Sequence, residues 1–382
     1  MSRPLPVIGT TTLTSRERIL RAARNEPVDR IPIWLMRQAG RYLPEYRELR
    51  AQAAFETMVK NPDLATEATL QPLRRFPLDA AIVFSDILMP VEPMGLGLRF
   101  EPGPVVEPAV RTRADIDHLA APEHGEGLEY VMETLRRVRR TLGDQTALIG
   151  FAGAPVTLAT YICDGRSPGG AGGAKDFREL KRLVHADPAA GHRLLERLAK
   201  VVAGSLVAQV QAGADLVQLF DTWAGLLDPV DYAEFAVRHV QSVVSELRRR
   251  APGTPIIYFA RGASGMLERM ADTGADVIGL DWTVELGAAR RRLGSIAVQG
   301  NLDPALLHAP PDRLAERAQS ILAAGGGRGH IFNLGHGVLL DTPPEQVAHL
   351  VATVQAFPTA FEPAKSGGRV IEAGARTPEG KE

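Results

Sequence analysis

Eight short apolar segments alternate with helix-like segments along this chain, and this alternation limits the possible fold more than any other feature. Each apolar segment is rich in β-branched or aromatic residues and ends in polar or turn-forming residues, which is typical of a buried strand. The segments are IPIWLM (31–36), AAIVFSD (80–86), TALIGFAG (146–153), ADLVQLFD (214–221), PIIYFA (255–260), ADVIGLDW (275–282), IAVQGNLD (296–303) and HIFNLGHG (330–337). Apolar residues at three- and four-residue spacing predict helices between them, most clearly over 195–211, 232–250 and 343–357.

A chain of alternating strands and helices predicts an α/β fold with a parallel sheet, and eight such units predict a closed (β/α)8 TIM barrel. An open doubly wound sheet is the alternative, but it normally has a glycine-rich turn after its first strand. Here the first segment runs into MRQAGRY, which has one glycine. GADLVQLFD and GADVIGLDW are similar enough to suggest equivalent strands. We expect a single domain over residues 16–360, with disordered extensions at 1–15 and 361–382.

Charge and cysteine content exclude several classes of protein. The chain has 44 basic and 45 acidic residues, so its overall charge does not indicate nucleic-acid binding. Cys163 is the only cysteine, which excludes an intrachain disulfide or a multi-cysteine zinc site and is typical of a reducing cytosol. No secretory signal is recognisable, and no apolar run approaches the roughly 20 residues that span a bilayer. We therefore expect a cytoplasmic protein.

The active site of a (β/α)8 barrel lies at the carboxyl ends of its strands. Polar residues at the ends of the predicted strands are therefore the first candidates for a functional site. These strand ends carry no Asp or Glu paired with a His, so they do not indicate metal-dependent hydrolysis. The candidates are Arg37, Arg41, Ser85, Asp86, Asp221, Thr222, Arg261, Asp281, Asn301, Asp303 and His336.

Four arginines lie within MRQAGRYLPEYRELR (36–50), directly behind the first predicted strand. The guanidinium group is a rigid fork that matches a carboxylate or phosphate, so several together suggest a polyanionic ligand. Arg37 and Arg41 favour this interpretation because an unpaired charge beside a buried strand is costly. Arg47 is better interpreted as an exposed helix residue paired with nearby glutamates, and the residues alone leave Arg50 open.

Asp86 and Tyr161 each have a functional and a structural interpretation, and His336 has a functional one. Asp86 closes a very apolar segment and is either a helix cap or ion-pair partner, or a functional carboxylate in a partly dry pocket. His336 lies between two glycines, which would let the backbone approach a ligand closely. Tyr161, in GFAGAPVTLATYICDG (150–165), is either a packing residue or part of a site. The glycine-rich stretch that follows it could form a lid.

Together these segments resemble the uroporphyrinogen decarboxylase family. PIWLMRQAGRYLPEYRELR is similar to that family's first signature and GFAGAPVTLATYICDG to its second. The similarity extends to AIVFSDILMP, QLFDTWAG, VQGNLDP and FNLGHGVLLDTPPE, and covers about residues 16–360. It implies a (β/α)8 barrel, a homodimer and an enzyme without a cofactor or metal. The implied reaction converts the four acetate side chains of uroporphyrinogen III to methyl groups, giving coproporphyrinogen III in haem biosynthesis.

The resemblance also implies roles for individual residues. Arg37, Arg41 and Arg50 match family arginines at the substrate's carboxylates, and Asp86 matches the aspartate that accepts the pyrrole N–H groups. Arg37, Asp86, Tyr161 and His336 are the expected catalytic residues. Thr222 replaces the usual Ser, Val156 replaces an aromatic residue, and GRSPGGAGGAK (165–175) is longer than the family's glycine turn. The remaining expected substrate contacts are Gln38, Ala39, Gly40, Phe55, Tyr161, Thr222 and His336.

The implied chemistry is consistent with these residue types. A pyrrole protonated at its α-carbon can take up the electrons left by CO2, which would make a cofactor unnecessary. Asp86 would stabilise the cation and the arginines would orient the ring. The residues leave two alternatives for the proton donor. It is either Arg37 itself, or a water molecule or substrate carboxylic acid that Arg37 positions. Two alternatives are a corrinoid-dependent methyltransferase, which needs a zinc thiolate, and a non-catalytic tetrapyrrole-binding protein, which would leave Asp86 without a purpose.

Overall fold

A parallel seven-stranded sheet forms the centre of the computed structural model, which describes residues 13–100, 103–166 and 177–358. The strand order is β1–β4–β5–β6–β7–β8–β9, and a separate antiparallel ribbon pairs β2 with β3. Seven of the eight predicted strands are thereby confirmed. The strands are β1 (Ala80–Ile82), β2 (Gly97–Arg99), β3 (Val105–Glu107), β4 (Ala147–Gly153), β5 (Leu216–Asp221), β6 (Ile256–Ala260), β7 (Val277–Gly279), β8 (Ala297–Gln299) and β9 (His330–Ile331).

Helices connect successive strands of the sheet, and the three clearest helix predictions are confirmed. A π-helical stretch, Tyr232–Val237, opens the second of them and runs directly into α11. The helices are α1 (Ser15–Ala23), α2 (Pro44–Gln52), α3 (Phe55–Lys60), α4 (Pro62–Arg75), α5 (Arg113–His118), α6 (Glu129–Leu142), α7 (Pro155–Asp164), α8 (Arg178–Ala186), α9 (Pro188–Gln211), α10 (Pro229–Asp231), α11 (Arg238–Arg250), α12 (Leu267–Ala271), α13 (Leu286–Leu293), α14 (Pro311–Gly325) and α15 (Pro344–Ala356).

Alternate residues of the strands belong to two different cores, as expected when both faces of a sheet are buried. The larger core lies between the sheet and the helices and contains, for example, Val217 and Leu219 of β5. The smaller core lies on the other face and contains Leu216 together with Ile19 of α1. Gln299 joins the side chains within this inner core, because it accepts from the indole N–H of Trp34 (2.9 Å) and donates to Gln218 (3.0 Å).

Segment 31–36, predicted as the first strand, is not a regular strand. Its backbone contacts strands at both ends of the sheet: Phe332 donates to Pro32 O (2.8 Å), and Asp79 donates to Ile33 O (2.8 Å). The hydrogen-bond ladder is incomplete because Pro32 has no N–H and because the N–H of Ile33 donates to the carboxylate of Asp79 instead (2.9 Å). An isolated parallel bridge between Ile33 and Phe332 is what remains of the predicted strand.

Three aspartates at the amino ends of strands form the same contact. Asp79, Asp215 and Asp276 precede β1, β5 and β7, and each accepts the N–H of the neighbouring strand or segment at 2.7–2.9 Å. Each carboxylate also pairs with arginine. The predicted equivalence of GADLVQLFD and GADVIGLDW is therefore reflected in matching side-chain contacts, and residues 79–82 share the pattern.

Residues 1–12 of the predicted N-terminal extension (1–15) and all of the predicted C-terminal extension (361–382) lie outside the described residues, as does most of the glycine-rich segment 165–175. Helix α1 begins at Ser15 because Thr14 caps it, with Glu17 completing a reciprocal capping box. Across the described ranges, no helix is both long and apolar enough to cross a bilayer.

Candidate active site

A cavity of about 550 Å³ opens at the carboxyl ends of β1, β4, β5 and β9, beside the end of segment 31–36. Ten of the eleven predicted substrate contacts line it, namely Arg37, Ala39, Gly40, Arg41, Arg50, Phe55, Asp86, Tyr161, Thr222 and His336. Most of its other lining is apolar or aromatic, including Phe84, Phe100, Phe151, Phe220, Leu339 and Leu340. The result is an apolar cleft with arginines at one wall and a single aspartate among its lining residues.

Arg37 and Arg41 form part of one wall of the cavity. Both side chains are exposed, and neither forms an ion pair within the described ranges. Arg37 has a φ of 60°, a left-handed conformation that residues other than glycine adopt infrequently. Its side chain passes so close to Gly337 that a Cβ there would lie 2.3 Å from Arg37 Cδ. Gly337 therefore leaves the space that the Arg37 side chain needs.

Gln38 does not line the cavity, because its side chain is buried below the turn that carries the two arginines. Its amide accepts from Leu35 N–H (3.1 Å) and donates to Ala80 O (3.0 Å). Its backbone carbonyl accepts the hydroxyl of Tyr42 (2.8 Å). Gln38 thus stabilises the arginine-bearing turn, and a direct contact with the substrate stays a prediction.

The two arginines of helix α2 differ in their environment. Arg50 lines the cavity and donates to Ala53 O (2.6 Å) at the end of the helix. Arg47 is exposed, as predicted, but the predicted pairing with nearby glutamates is wrong. It donates instead to the carbonyls of Arg41 and Tyr42 (3.0 and 3.1 Å), because the turn before the helix leaves those oxygens without helical partners, while Glu45 pairs with Arg75.

Asp86 is partly buried and keeps capacity for a ligand. One oxygen accepts the N–H of Leu88 (2.9 Å), a local turn contact related to the predicted cap. Its other oxygen has no hydrogen-bond partner, and no cation forms an ion pair with it, in the described part of the chain. Burial raises the pKa of Asp86 to about 6, although the Leu88 N–H and the charge of Arg37 act in the opposite direction.

His336 is held neutral by its surroundings. Burial, together with the nearby charges of Arg37 and Arg261, lowers the pKa of its imidazole to about 4, against a smaller opposing effect of Asp281. A neutral ring offers one donor and one acceptor rather than a positive charge. His336 therefore fits a hydrogen-bonding role better than that of a second cation.

Tyr161 and Thr222 lie on neighbouring elements across the cavity. Tyr161, on α7, is 7% exposed and packs edge-on against Phe177 and Trp223, with ring centroids 5.8 and 6.2 Å apart. Thr222 is half-buried and directly follows β5. Tyr161 therefore packs against aromatic neighbours and also lines the cavity, and its part in a functional site stays a prediction. Val156, in place of an aromatic residue, is fully buried in α7.

Several strand-end candidates serve the loops instead of the cavity. Asp281 accepts from the N–H groups of Gly262 and Thr283, and Asn301 donates to the carbonyls of Asp281 and Val284. Asp303 caps the short helix that follows it. Sequence reasoning predicted Phe55 and Tyr161 but missed the rest of the aromatic lining. Phe84 and Phe220 could have been predicted as lining residues because each directly precedes a polar residue at the end of a strand. Phe100 directly follows strand β2 of the ribbon, and nothing in the sequence indicates that it reaches the cavity.

Comparison with known proteins identifies the family of this fold and site. Residues 14–357 match the model of the family described as uroporphyrinogen decarboxylase. A uroporphyrinogen decarboxylase of Chloroflexus aggregans is 49% identical over 349 residues, which cover 90% of this chain and 96% of that protein. One from Escherichia coli O157:H7 is 49% identical over 350 residues, with 90% and 97% covered.

The chain belongs to the uroporphyrinogen decarboxylase family.

A methyltransferase from Methanosarcina mazei shares the fold of this uroporphyrinogen decarboxylase family member, with a TM-score of 0.75 over 90% of this chain and 99% of that one. Their sequences are 22% identical, so the likeness concerns the fold alone. Cys163, which a zinc-thiolate methyltransferase would need as a ligand, is buried here, and burial raises the pKa of its thiol far above the usual range. Across the described ranges, no three His, Cys, Asp or Glu side chains are grouped to hold a metal.

Proposed function

We propose that this chain decarboxylates the four acetate side chains of uroporphyrinogen III to methyl groups, producing coproporphyrinogen III without a cofactor. The observation that carries this proposal is the combination of one open carboxylate oxygen, on Asp86, with arginines at the rim of an otherwise apolar cavity. A macrocycle with acidic substituents and central N–H groups complements such a cavity. Membership of the family supports the same activity.

Asp86 accepts pyrrole N–H groups and stabilises the cation that forms during the reaction. A proton adds to the α-carbon of the reacting pyrrole, which makes the ring cationic. The bond between the acetate methylene and its carboxylate then breaks, CO2 leaves, and the electron pair neutralises the ring. Protonation of the resulting exocyclic methylene carbon and loss of the α-proton give the methyl group, so electrons and protons balance without a redox partner.

Arg37, Arg41 and Arg50 bind the carboxylates and orient the reacting ring. A guanidinium is a very weak acid, so the proton comes more readily from water or a substrate carboxylic acid that Arg37 positions. Neutral His336, Tyr161 and Thr222 complete the hydrogen-bonding and packing contacts on the far wall. These roles agree with the cavity lining and with the exposure of the first two guanidinium groups.

We further propose that segment 31–36 closes the sheet as the first of eight strands, so that residues 16–360 form one (β/α)8 catalytic domain. Three observations support this. The segment makes backbone hydrogen bonds to residues beside β1 and β9, the two ends of the sheet. Trp34 and Met36 lie in the inner core whereas Ile33 and Leu35 lie in the outer one, as in a strand. Its contact with Asp79 repeats the contacts of Asp215 and Asp276.

A homodimer in the cytosol is the assembly that we propose for this domain. In the described part of the chain, the exposed large hydrophobic residues all follow strands at their carboxyl ends, and they are Leu226, Val230, Trp282, Leu339 and Leu340. The guanidinium of Arg261 lies 5.5 Å from the centre of the ring of Trp282, one of these residues. Sedimentation should show dimers that Trp282→Glu dissociates; a monomeric wild type would contradict the proposal.

The decisive test is anaerobic formation of coproporphyrinogen from uroporphyrinogen by the pure protein. Asp86→Asn keeps the side-chain shape and the acceptor for Leu88, but it removes the negative charge, so we expect a fold like wild type and a large fall in kcat. Arg37→Lys should also reduce kcat/KM because the two-point fork is lost. Wild type that binds uroporphyrinogen without converting it would favour the non-catalytic alternative. Normal turnover by Asp86→Asn would remove Asp86 from the mechanism.

A further inference from the structure

Asp221 is a fully buried carboxylate between two residues that line the cavity, Phe220 and Thr222. No cation pairs with it in the described part of the chain. Burial raises its pKa to about 6, against the hydrogen bonds that it accepts. An unpaired carboxylate costs more to bury than an amide or an apolar side chain would. Packing alone therefore does not account for this residue.

The donors around Asp221 connect the two elements that carry Tyr161 and Thr222. One carboxylate oxygen accepts from Thr157 N–H (3.1 Å) and Thr157 Oγ–H (2.7 Å). Because the hydroxyl gives its only hydrogen to Asp221, its lone pair is available to accept Trp223 N–H (3.1 Å). Thr157 thus bridges helix α7 and the residue directly after Thr222.

The second carboxylate oxygen is held by buried tyrosines. Tyr258 donates its hydroxyl hydrogen to Asp221 (2.9 Å). Tyr232 must then be the donor to Tyr258, across 3.0 Å, because the hydrogen of Tyr258 is already used. The carboxylate is consequently fixed from both sides, by α7 and by the strand β6.

Asp221 also acts as the cap of helix α7. The N-cap residue, Ala154, has no side chain that could accept a hydrogen bond. Asp221 accepts the N–H of Thr157, the third residue of the helix, where a negative charge is favourable. Tyr161 follows Thr157 by four residues and therefore lies on the same helix face. Capping by Asp221 thus also sets the position of Tyr161.

We propose that Asp221 is a positioning residue that, through Thr157, holds Tyr161 and Thr222 in a fixed relative geometry at the cavity. It acts through these residues because its own side chain does not line the cavity. The inference rests on the proposed function in one respect, namely that Tyr161 and Thr222 contact the substrate.

The sharpest test compares two substitutions of Thr157. Thr157→Val removes the bridging hydroxyl with little change in shape, and kcat/KM should fall by about ten- to one-hundred-fold, because a small displacement of substrate-positioning groups is costly. Thr157→Ser keeps the bridge and should restore kcat/KM to near the wild-type value. Thr273→Val is the matched control, because its buried hydroxyl likewise both donates and accepts, but it donates to a backbone carbonyl and lies near the amino end of β7. It should lose stability and keep wild-type kcat/KM.

Two substitutions of Asp221 separate geometry from charge. Asp221→Asn can still accept from Thr157, and its NH2 can donate to Tyr258 if the tyrosine pair reverses direction. Asp221→Ala can do neither. Positioning predicts a smaller loss of kcat/KM for Asn than for Ala, while equal losses would assign the effect to charge and overturn the inference. Wild-type kcat/KM in Thr157→Val would overturn it too.

Amide hydrogen exchange distinguishes failure of this inference from failure of the proposed function. Inactivity of the wild type towards uroporphyrinogen would refute the proposed function alone. The positioning role is then decided by the exchange rate of the Trp223 N–H. Faster exchange in Thr157→Val and Asp221→Ala, but not in Thr157→Ser, supports it. Unchanged exchange in the first two variants refutes it.

Discussion

Replacing Gly337 with Ala should displace Arg37 without disturbing the rest of the cavity. The added Cβ would lie 2.3 Å from Arg37 Cδ, 2.6 Å from its Cγ and 3.0 Å from its Cβ. Rotation of the end of the side chain cannot relieve the last of these contacts, so the whole side chain must move. Gly337 is not among the residues with positive φ, so Ala suits its own backbone.

The size of the effect follows from the contact that Arg37 would lose. A hydrogen bond to a charged group contributes about 1.5–3 kcal/mol, which corresponds to about a ten- to one-hundred-fold fall in kcat/KM. Stability should change little through lost contacts, because Arg37 is exposed and has no ion-pair partner in the described ranges.

Initial rates of coproporphyrinogen formation, measured anaerobically, test this prediction. Gly265→Ala is the control, since an added Cβ there meets nothing within 4 Å. Combining Gly337→Ala with Arg37→Ala should be no worse than Arg37→Ala alone, because both changes remove the same contact. Wild-type kcat/KM in Gly337→Ala would refute the reasoning that the position of the Arg37 guanidinium matters.

Three further predictions concern buried carboxylates. Asp79→Asn should lower the free energy of urea-induced unfolding by about 3–5 kcal/mol because two arginines lose their buried partner, whereas Glu316→Gln, in an exposed pair, should change it by less than about 1 kcal/mol. The value of kcat/KM should decrease as the pH falls through about 6, when Asp86 becomes protonated; persistence of this decrease in Asp221→Asn would assign it to Asp86. The pKa of Asp221 is raised from 3.8 to about 6, so folding favours the protonated form of this carboxyl. As the pH rises from about 4 to above 6, wild type should therefore lose up to about 3 kcal/mol of stability relative to Asp221→Asn. Urea unfolding at several pH values measures this difference.

Hydrophobic patterning predicted the sheet well because both of its faces are buried. Apolar runs such as ADLVQLFD identified strands without help from a motif, and the period of helix α9 is equally clear. The hydrophobic pattern alone could not show that segment 31–36 would lack regular strand hydrogen bonding. That outcome depends on Pro32 and on the carboxylate of Asp79, which is distant in sequence. Nor could it reveal ribbon β2–β3, whose strands have three residues each and no distinctive alternation.

The site was less predictable because the end of a strand does not fix the direction of a side chain. The strand-end rule found Arg37, Asp86 and His336, but it also selected Asp281 and Asn301, which bind loop backbone. A change of one residue along a strand reverses the face of its side chain, so only the folded loops separate these groups. Arg50 and Phe55 lie on helices α2 and α3, which carry no strand-end signal, so only the family resemblance assigned them to the site.

Two aspartates near the cavity have similarly raised pKa values, yet their hydrogen bonds suit them to different tasks. Both oxygens of Asp221 accept hydrogen bonds from protein donors, so this side chain has little capacity left for a ligand. Asp86 accepts one bond, from Leu88, and lines the cavity with an oxygen that has no partner in the described part of the chain. Burial makes each carboxylate costly, but only at Asp86 can a substrate N–H or a developing cation offset that cost. Unused hydrogen-bonding capacity, more than the pKa, therefore distinguishes the carboxylate that would meet the substrate from the one that would position its neighbours.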